Sequence, residues 1–212
     1  MQDVVTAVGW AEGRIESTSD DRAQHGVLHI REFGRRVRRL EDEAPGGPAG
    51  LPASEVGHEA HHSERAIAPV GAQWPYSGRR RKAWQQKGHQ LGECLFFFGC
   101  RKKAEDFLYA DFLHECLASL VITQLHVAFS RDGDSKVYVQ HRIVEQGAEV
   151  WRLLSAGANV YLCGDAKHMA KDVEAALKDI LVHHGGMAEE KAMERLDRMQ
   201  KEERFLKDVW SS

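Results

Sequence analysis

The chain has 212 residues, 42% of them apolar and 29% charged, with a net charge of -3 at neutral pH. That length bounds it to one large or two small domains. The acidic balance excludes a global field that would draw it onto nucleic acid, and no run approaches the roughly 18 apolar residues of a membrane-spanning helix. The start, Met1-Gln2-Asp3-Val4-Val5, has no apolar core of a signal peptide. Cys94, Cys100, Cys116 and Cys163 form no CxxC pair and no disulfide framework, so they read as reduced thiols of an intracellular protein.

Residues 1–78 are punctuated by glycine and proline, as in Ala44-Pro45-Gly46-Gly47-Pro48, and their apolar residues follow no sustained period. They are expected to be weakly structured. The basic cluster Arg31, Arg35, Arg36, Arg38 and Arg39 reads as a solvated face rather than a nucleic-acid patch. His58, His61 and His62 lack the cysteine or carboxylate partners that would complete a metal site, so no metal is expected. The run Arg79–Lys87 reads as an exposed helix that leads into a regular region over 79–212.

From Glu93 the chain alternates strand and helix. Glu93–Gly99 is an apolar strand ending in glycine, and Glu105–Leu120 reads as one amphipathic helix with Phe107, Phe112, Leu113, Cys116 and Leu120 on its apolar face. Gln124–Phe129 is a second strand, Val139–Leu154 a second helix and Asn159–Cys163 a third strand. Lys167–His183 is the next helix, ended by Gly185-Gly186, and a charged helix over Ala188–Arg204 precedes the short tail Phe205–Ser212. Such alternation implies an α/β fold with a parallel sheet covered by helices on both faces.

Two stretches carry chemistry. In Asn159-Val160-Tyr161-Leu162-Cys163-Gly164-Asp165-Ala166, Gly164 permits a tight turn and a close backbone approach, Asp165 suits a helix N-cap, and Cys163 points a thiol at the crevice where open α/β sheets bind ligands. After the second strand, Ser130 and Arg131 lie across a turn from Lys136, Tyr138 and Gln140, which alternate with Val137 and Val139. An extended segment would point all three to one side. A hydroxyl, a guanidinium, an ammonium, a phenol and an amide converging in this way suit a phosphate monoester. An ordinary polar loop is the plainer alternative.

Five motifs in order give a family resemblance: Leu95-Phe96-Phe97-Phe98-Gly99-Cys100-Arg101, Phe129-Ser130-Arg131, Lys136–Gln140, Tyr161–Ala166 and the terminal Asp208-Val209-Trp210-Ser211. Over residues from about 87 to 212 the chain resembles the C-terminal NADPH-binding lobe of the diflavin reductases, within the ferredoxin–NADP reductase superfamily. The terminal motif is similar to that of the branch serving haem proteins. The resemblance implies NADPH as cofactor, hydride transfer to FAD, and electron passage through FMN to a haem monooxygenase or other haem protein. It implies that Ser130, Arg131, Lys136, Tyr138 and Gln140 hold the adenosine 2′-phosphate, and that Asp172 lies beside the cofactor with Gly164 and Asp165. Cys163 and Asp208 would flank the nicotinamide, and Trp210 would stack on the flavin. By the same resemblance the protein is cytoplasmic, or on the cytosolic face of the endoplasmic reticulum if its parent has an anchor. The other reading is a non-catalytic NADP-binding or interaction module.

The chain departs from that pattern before the lobe. It shows no FMN half, no FAD-binding barrel and no Gly-Pro-Gly-Thr-Gly loop; where that loop is expected it reads His61-His62-Ser63-Glu64-Arg65. Codons for Gly57–His62 read one base along can encode Thr-Lys-Pro-Ile-Ile, a strand of the family's kind. Residues 1–78 are therefore expected to be a frame-shifted reading, and the chain a fragment of a longer reductase.

Overall fold

The computed structural model describes residues 4–9, 73–107, 109–165 and 168–210. At its centre is a parallel sheet of five strands: β1 (Val4–Gly9), β2 (Cys94–Cys100), β3 (Gln124–Phe129), β4 (Asn159–Asp165) and β5 (Phe205–Trp210). Their spatial order is β3-β2-β1-β4-β5. The order reverses between β1 and β4, and in a doubly wound sheet that reversal opens a crevice at the C-terminal ends of the strands.

The connections are helical: α1 (Gln73–Gln86), α2 (Lys103–Asp106), α3 (Ala110–Ala118), α4 (Val139–Glu145), α5 (Gly147–Ser155), α6 (Met169–His183) and α7 (Glu189–Lys201). The sheet thus has the expected α/β architecture. Strand β2 is buried along its whole length, so its alternating side chains feed two cores. Leu95 and Phe97 pack beneath α4, α5 and α6 with Val150, Val173 and Leu177. Phe96 and Phe98 pack on the other face with Leu113 and Cys116 of α3. Full burial of each such aromatic or aliphatic side chain contributes about 1.5–3 kcal/mol.

Several elements differ from the sequence reading. The central strand is β1, inside the stretch expected to be weakly structured; Val5 pairs with Leu95 on one side and Val160 on the other. The His58, His61 and His62 trio and the Arg31–Arg39 cluster lie outside the described residues. Helix α1 runs across residue 78 and is not simply exposed: Trp84 is fully buried, and Arg81 is buried with Nε donating to the Val121 carbonyl at 3.0 Å and an Nη to the Gly92 carbonyl at 2.6 Å. Lys82 pairs with Glu115, so the other side of α1 is tied to α3.

The single helix expected over Glu105–Leu120 is two. Tyr109, with φ 65°, breaks the path between α2 and α3, and Leu120 sits past the end of α3 at φ 58°, 66% exposed rather than on the apolar face. The helix expected over Val139–Leu154 breaks at Gln146. There Gly147 lets α5 start hard against α6, since a Cβ on Gly147 would stand 2.5 Å from His184 Nε2. The tail is a strand, whose Phe205 and Leu206 are buried on opposite faces.

Candidate functional site

The crevice is edged by glycine. Gly9 ends β1 and lies in register with Gly99 of β2, while Gly164 lies next to the end of β4 with φ 156°. Three central strands thus present bare backbone at their C-terminal ends, which permits a diphosphate-sized ligand to approach closely. At Gly99 the space is also used from within, because a Cβ there would stand 3.2 Å from the Val139 Cβ at the start of α4.

The 130–140 loop is braced against the end of β2. The backbone N–H of Ser130 donates to the Cys100 carbonyl at 2.9 Å, and that of Arg131 to the Arg101 carbonyl at 2.8 Å. Across the gap, the Asp132 carboxylate accepts the Lys103 N–H at 2.8 Å. Arg101 in turn grips Asp106 with two hydrogen bonds, Nε at 3.2 Å and an Nη at 2.8 Å. That grip holds the Asp106 carboxyl below the usual carboxylate range. Ser130 is buried, while Arg131 and Lys136 are exposed at either end of the loop. Both exposed residues are therefore within reach of an anion arriving from solvent.

The extended alternation expected for Lys136, Tyr138 and Gln140 does not occur. Tyr138 has extended backbone (φ -109°, ψ 167°) but is the N-cap of α4, and Gln140 is already in the first turn of that helix. The helical path turns Gln140 toward α6, where its Nε2 donates to Asp172 Oδ2 at 3.0 Å. Its Oε1 is buried with no hydrogen-bond partner, an acceptor left for a ligand donor. Tyr138 is steadied by His141, whose Nδ1 accepts the Tyr138 N–H at 3.1 Å and whose ring lies 5.8 Å from the phenol ring. Thus α4 and α6 meet at Gln140 and Asp172, two residues the sequence reading assigned to one cofactor by separate routes.

At the far side of the crevice, Cys163 and Asp208 are directly opposite each other on β4 and β5. Burial, and after it the Asp208 carboxylate, push the Cys163 thiol well above its ordinary range. Cys163 is therefore a neutral thiol at physiological pH, not a nucleophilic thiolate. Asp165 and Trp210 are the last paired residues of the two strands. The structure so gathers the predicted residues into two groups, Ser130–Gln140 with Asp172, and Cys163 with Asp208 and the backbone positions of Gly164, Asp165 and Trp210. What the sequence reading missed is β1 with Gly9, and the brace formed by Arg101, Asp106 and Asp132. The run Val4-Val5-Thr6-Ala7-Val8-Gly9, β-formers closed by glycine, was the available signal for the first.

Residues 71–175 match the oxidoreductase NAD-binding domain family. The chain is 39% identical over 133 residues to the human NADPH–cytochrome P450 reductase, which spans 62% of this chain and 20% of that protein. The mouse protein of the same name is 39% identical over 148 residues, 68% of this chain and 22% of its own. That of Salmo trutta is 37% identical over 134 residues, 62% of this chain and 22% of its own. The chain thus spans about a fifth of the length of the relatives it matches. Among the described residues no helix is long and apolar enough to cross a membrane.

Proposed function

This chain carries the oxidoreductase NAD-binding domain that closes the diflavin reductases, and from that premise we propose that it selects NADPH through the 130–140 loop and serves hydride transfer to a flavin. The observation that supports this reading most is the junction of Gln140 with Asp172 beside a loop whose Arg131 and Lys136 are exposed. Arg131 offers a planar fork to a phosphate monoester and Lys136 a point charge. Ser130 adds a hydroxyl and Tyr138 a phenol from the N-cap of α4. The buried Oε1 of Gln140 accepts a hydrogen bond from the ligand while its Nε2 stays on Asp172. The glycine ends of β1, β2 and β4 leave room for the diphosphate.

When bound, the nicotinamide supplies a hydride to FAD. At that end Asp208 sets a carboxylate where positive charge develops on the ring, and Cys163, kept neutral by burial, adds no competing anion beside it. Trp210 ends the edge strand, and a flat indole at that position would cover a flavin ring and swing away when nicotinamide enters. In the parent protein, electrons would pass on through FMN to a haem protein, in the cytoplasm or, if the parent carries an anchor, at the cytosolic face of the endoplasmic reticulum.

A second reading is a lobe that binds nucleotide without turning it over. Two measurements separate the readings. The purified chain is examined for flavin absorbance after incubation with FAD, and it is fused to the FAD domain of a related reductase and assayed for NADPH-dependent reduction of a haem protein. Turnover in the fusion supports the reductase lobe. A fusion that binds NADPH and FAD yet transfers no electrons supports the non-catalytic module.

A further inference from the structure

Among the described residues, strand β5 is an edge strand whose one strand neighbour is β4. Strand alternation places Leu206 and Asp208 on the face that carries Cys163, and sends Phe205 and Lys207 to the opposite face, beneath α6. There Lys207 Nζ lies 3.0 Å from a Glu174 carboxylate oxygen and 5.2 Å from the centroid of the Phe205 ring. Glu174 stands two residues after Asp172 on α6; Lys207 stands immediately before Asp208 on β5. One ion pair therefore joins the helix that meets Gln140 to the strand that ends in Asp208 and Trp210. The side chains are 25% and 35% exposed, so the pair is shielded from solvent more than an ordinary surface pair.

We propose that Glu174 and Lys207 are positioning residues that latch the end of β5 to α6, so that engagement of the 2′-phosphate side of the cofactor and the placement of Asp208 and Trp210 are coupled. The inference rests on the cofactor reading above and extends it. Without the pair, the part of β5 beyond the buried Phe205 and Leu206 loses one tie to α6, and an edge strand frays from its free end. With the pair, a ligand that steadies the first turns of α6 also steadies the strand, and by linkage an ordered β5 favours that ligand.

The test is amide hydrogen exchange on the full chain, with and without NADP⁺. It compares the natural protein with Glu174→Gln, Lys207→Met and the exchanged pair Glu174→Lys with Lys207→Glu. Glutamine and methionine keep the shape and the buried stems while removing the charge. Each single variant is expected to speed exchange over Leu206–Val209 roughly three- to fivefold in the free chain, with β2 and β3 unchanged and the melting temperature within a few degrees. The exchanged pair restores most of that protection. NADP⁺ is expected to slow exchange in β5 of the natural protein and of the exchanged pair, but not of the single variants. Unaltered β5 exchange in both single variants, or failure of the exchanged pair to recover, overturns the latch. Equal NADP⁺-induced protection of β5 in all four proteins overturns the coupling. If NADP⁺ does not bind the natural protein, the cofactor reading fails by itself, while exchange in the free chain still decides the latch.

Discussion

Gly99 and Val139 touch where a strand end meets a helix start, with only 3.2 Å between the Val139 Cβ and the position a Cβ would take on Gly99. This contact lets the first turn of α4 sit directly over the end of β2, and that turn holds Gln140 just beyond the Tyr138 cap. Replacing Gly99 by valine is expected to destabilise the protein by about 1–3 kcal/mol through overpacking. It should also weaken NADP⁺ binding, because relief of the clash moves α4. Urea denaturation and nucleotide titration of the same variant check the two effects together; a loss of stability with unaltered affinity would separate α4 from the pocket.

Leu120 offers a gain. It holds φ 58° just beyond α3 and is 66% exposed, so it contributes little burial in exchange for its backbone strain. Leu120→Gly should stabilise the fold by about 0.5–1 kcal/mol, because glycine adopts the left-handed position past a helix end without a Cβ penalty. The midpoint of chemical denaturation moves upward if this is right, and stays or falls if Leu120 serves some contact of its own.

Arg81 shows how a charged residue can hold a helix in place. Its guanidinium donates to the carbonyls of Val121 and Gly92 from a site only 2% exposed. Arg81→Met keeps much of the stem but removes both bonds, and is expected to cost about 2–4 kcal/mol. Denaturant unfolding reads the loss directly.

The buried thiols give the stability a pH dependence. Burial pushes Cys116 up to about 11, and burial together with Asp106 and Asp132 pushes Cys100 up to about 12. A group whose folded pKa is raised contributes stability that is fully present below the unfolded value of 9.0 and is lost as pH rises toward the folded value. Each thiol should therefore lower stability by about 1.4 kcal/mol per pH unit between roughly pH 9 and 11. Lysines and tyrosines titrate in the same range, so the measurement is the difference between the natural protein and Cys100→Ala or Cys116→Ala. The slope should be shallower in each variant; parallel slopes would contradict the assignment.

The parts legible in the sequence are those whose pattern is local. Strands β2, β3 and β4 are short apolar runs closed by glycine or a polar turn, and α6 repeats its apolar residues at helical spacing, so their existence needs no knowledge of neighbours. Strand β1 has the same local signature, yet 63 residues separate Gly9 from Gln73, and nothing in such a separation names its parallel partners. The breaks at Tyr109 and Gln146 were hidden because apolar periodicity runs straight through both. At the site, residue types in the 130–140 loop suggest an anion pocket, but the loop's geometry did not follow from a period of two. The turn into α4 at Tyr138 redirects Gln140 to Asp172, 32 positions away, and only the packing of α4 on α6 makes them meet. Arg81 read as exposed because its partners are backbone carbonyls distant in sequence, which no composition reveals.

The most direct test of the cofactor reading is calorimetric titration of the chain with NADP⁺ and NAD⁺, repeated for Arg131→Ala and Lys136→Ala. Each substitution removes a charge-assisted contact worth roughly 1.5–3 kcal/mol. NADP⁺ should bind the natural chain more tightly than NAD⁺, and each variant should lose about tenfold or more for NADP⁺ with little change for NAD⁺. Equal affinity for the two dinucleotides, or equal losses for both in the variants, would contradict a 2′-phosphate pocket in the 130–140 loop.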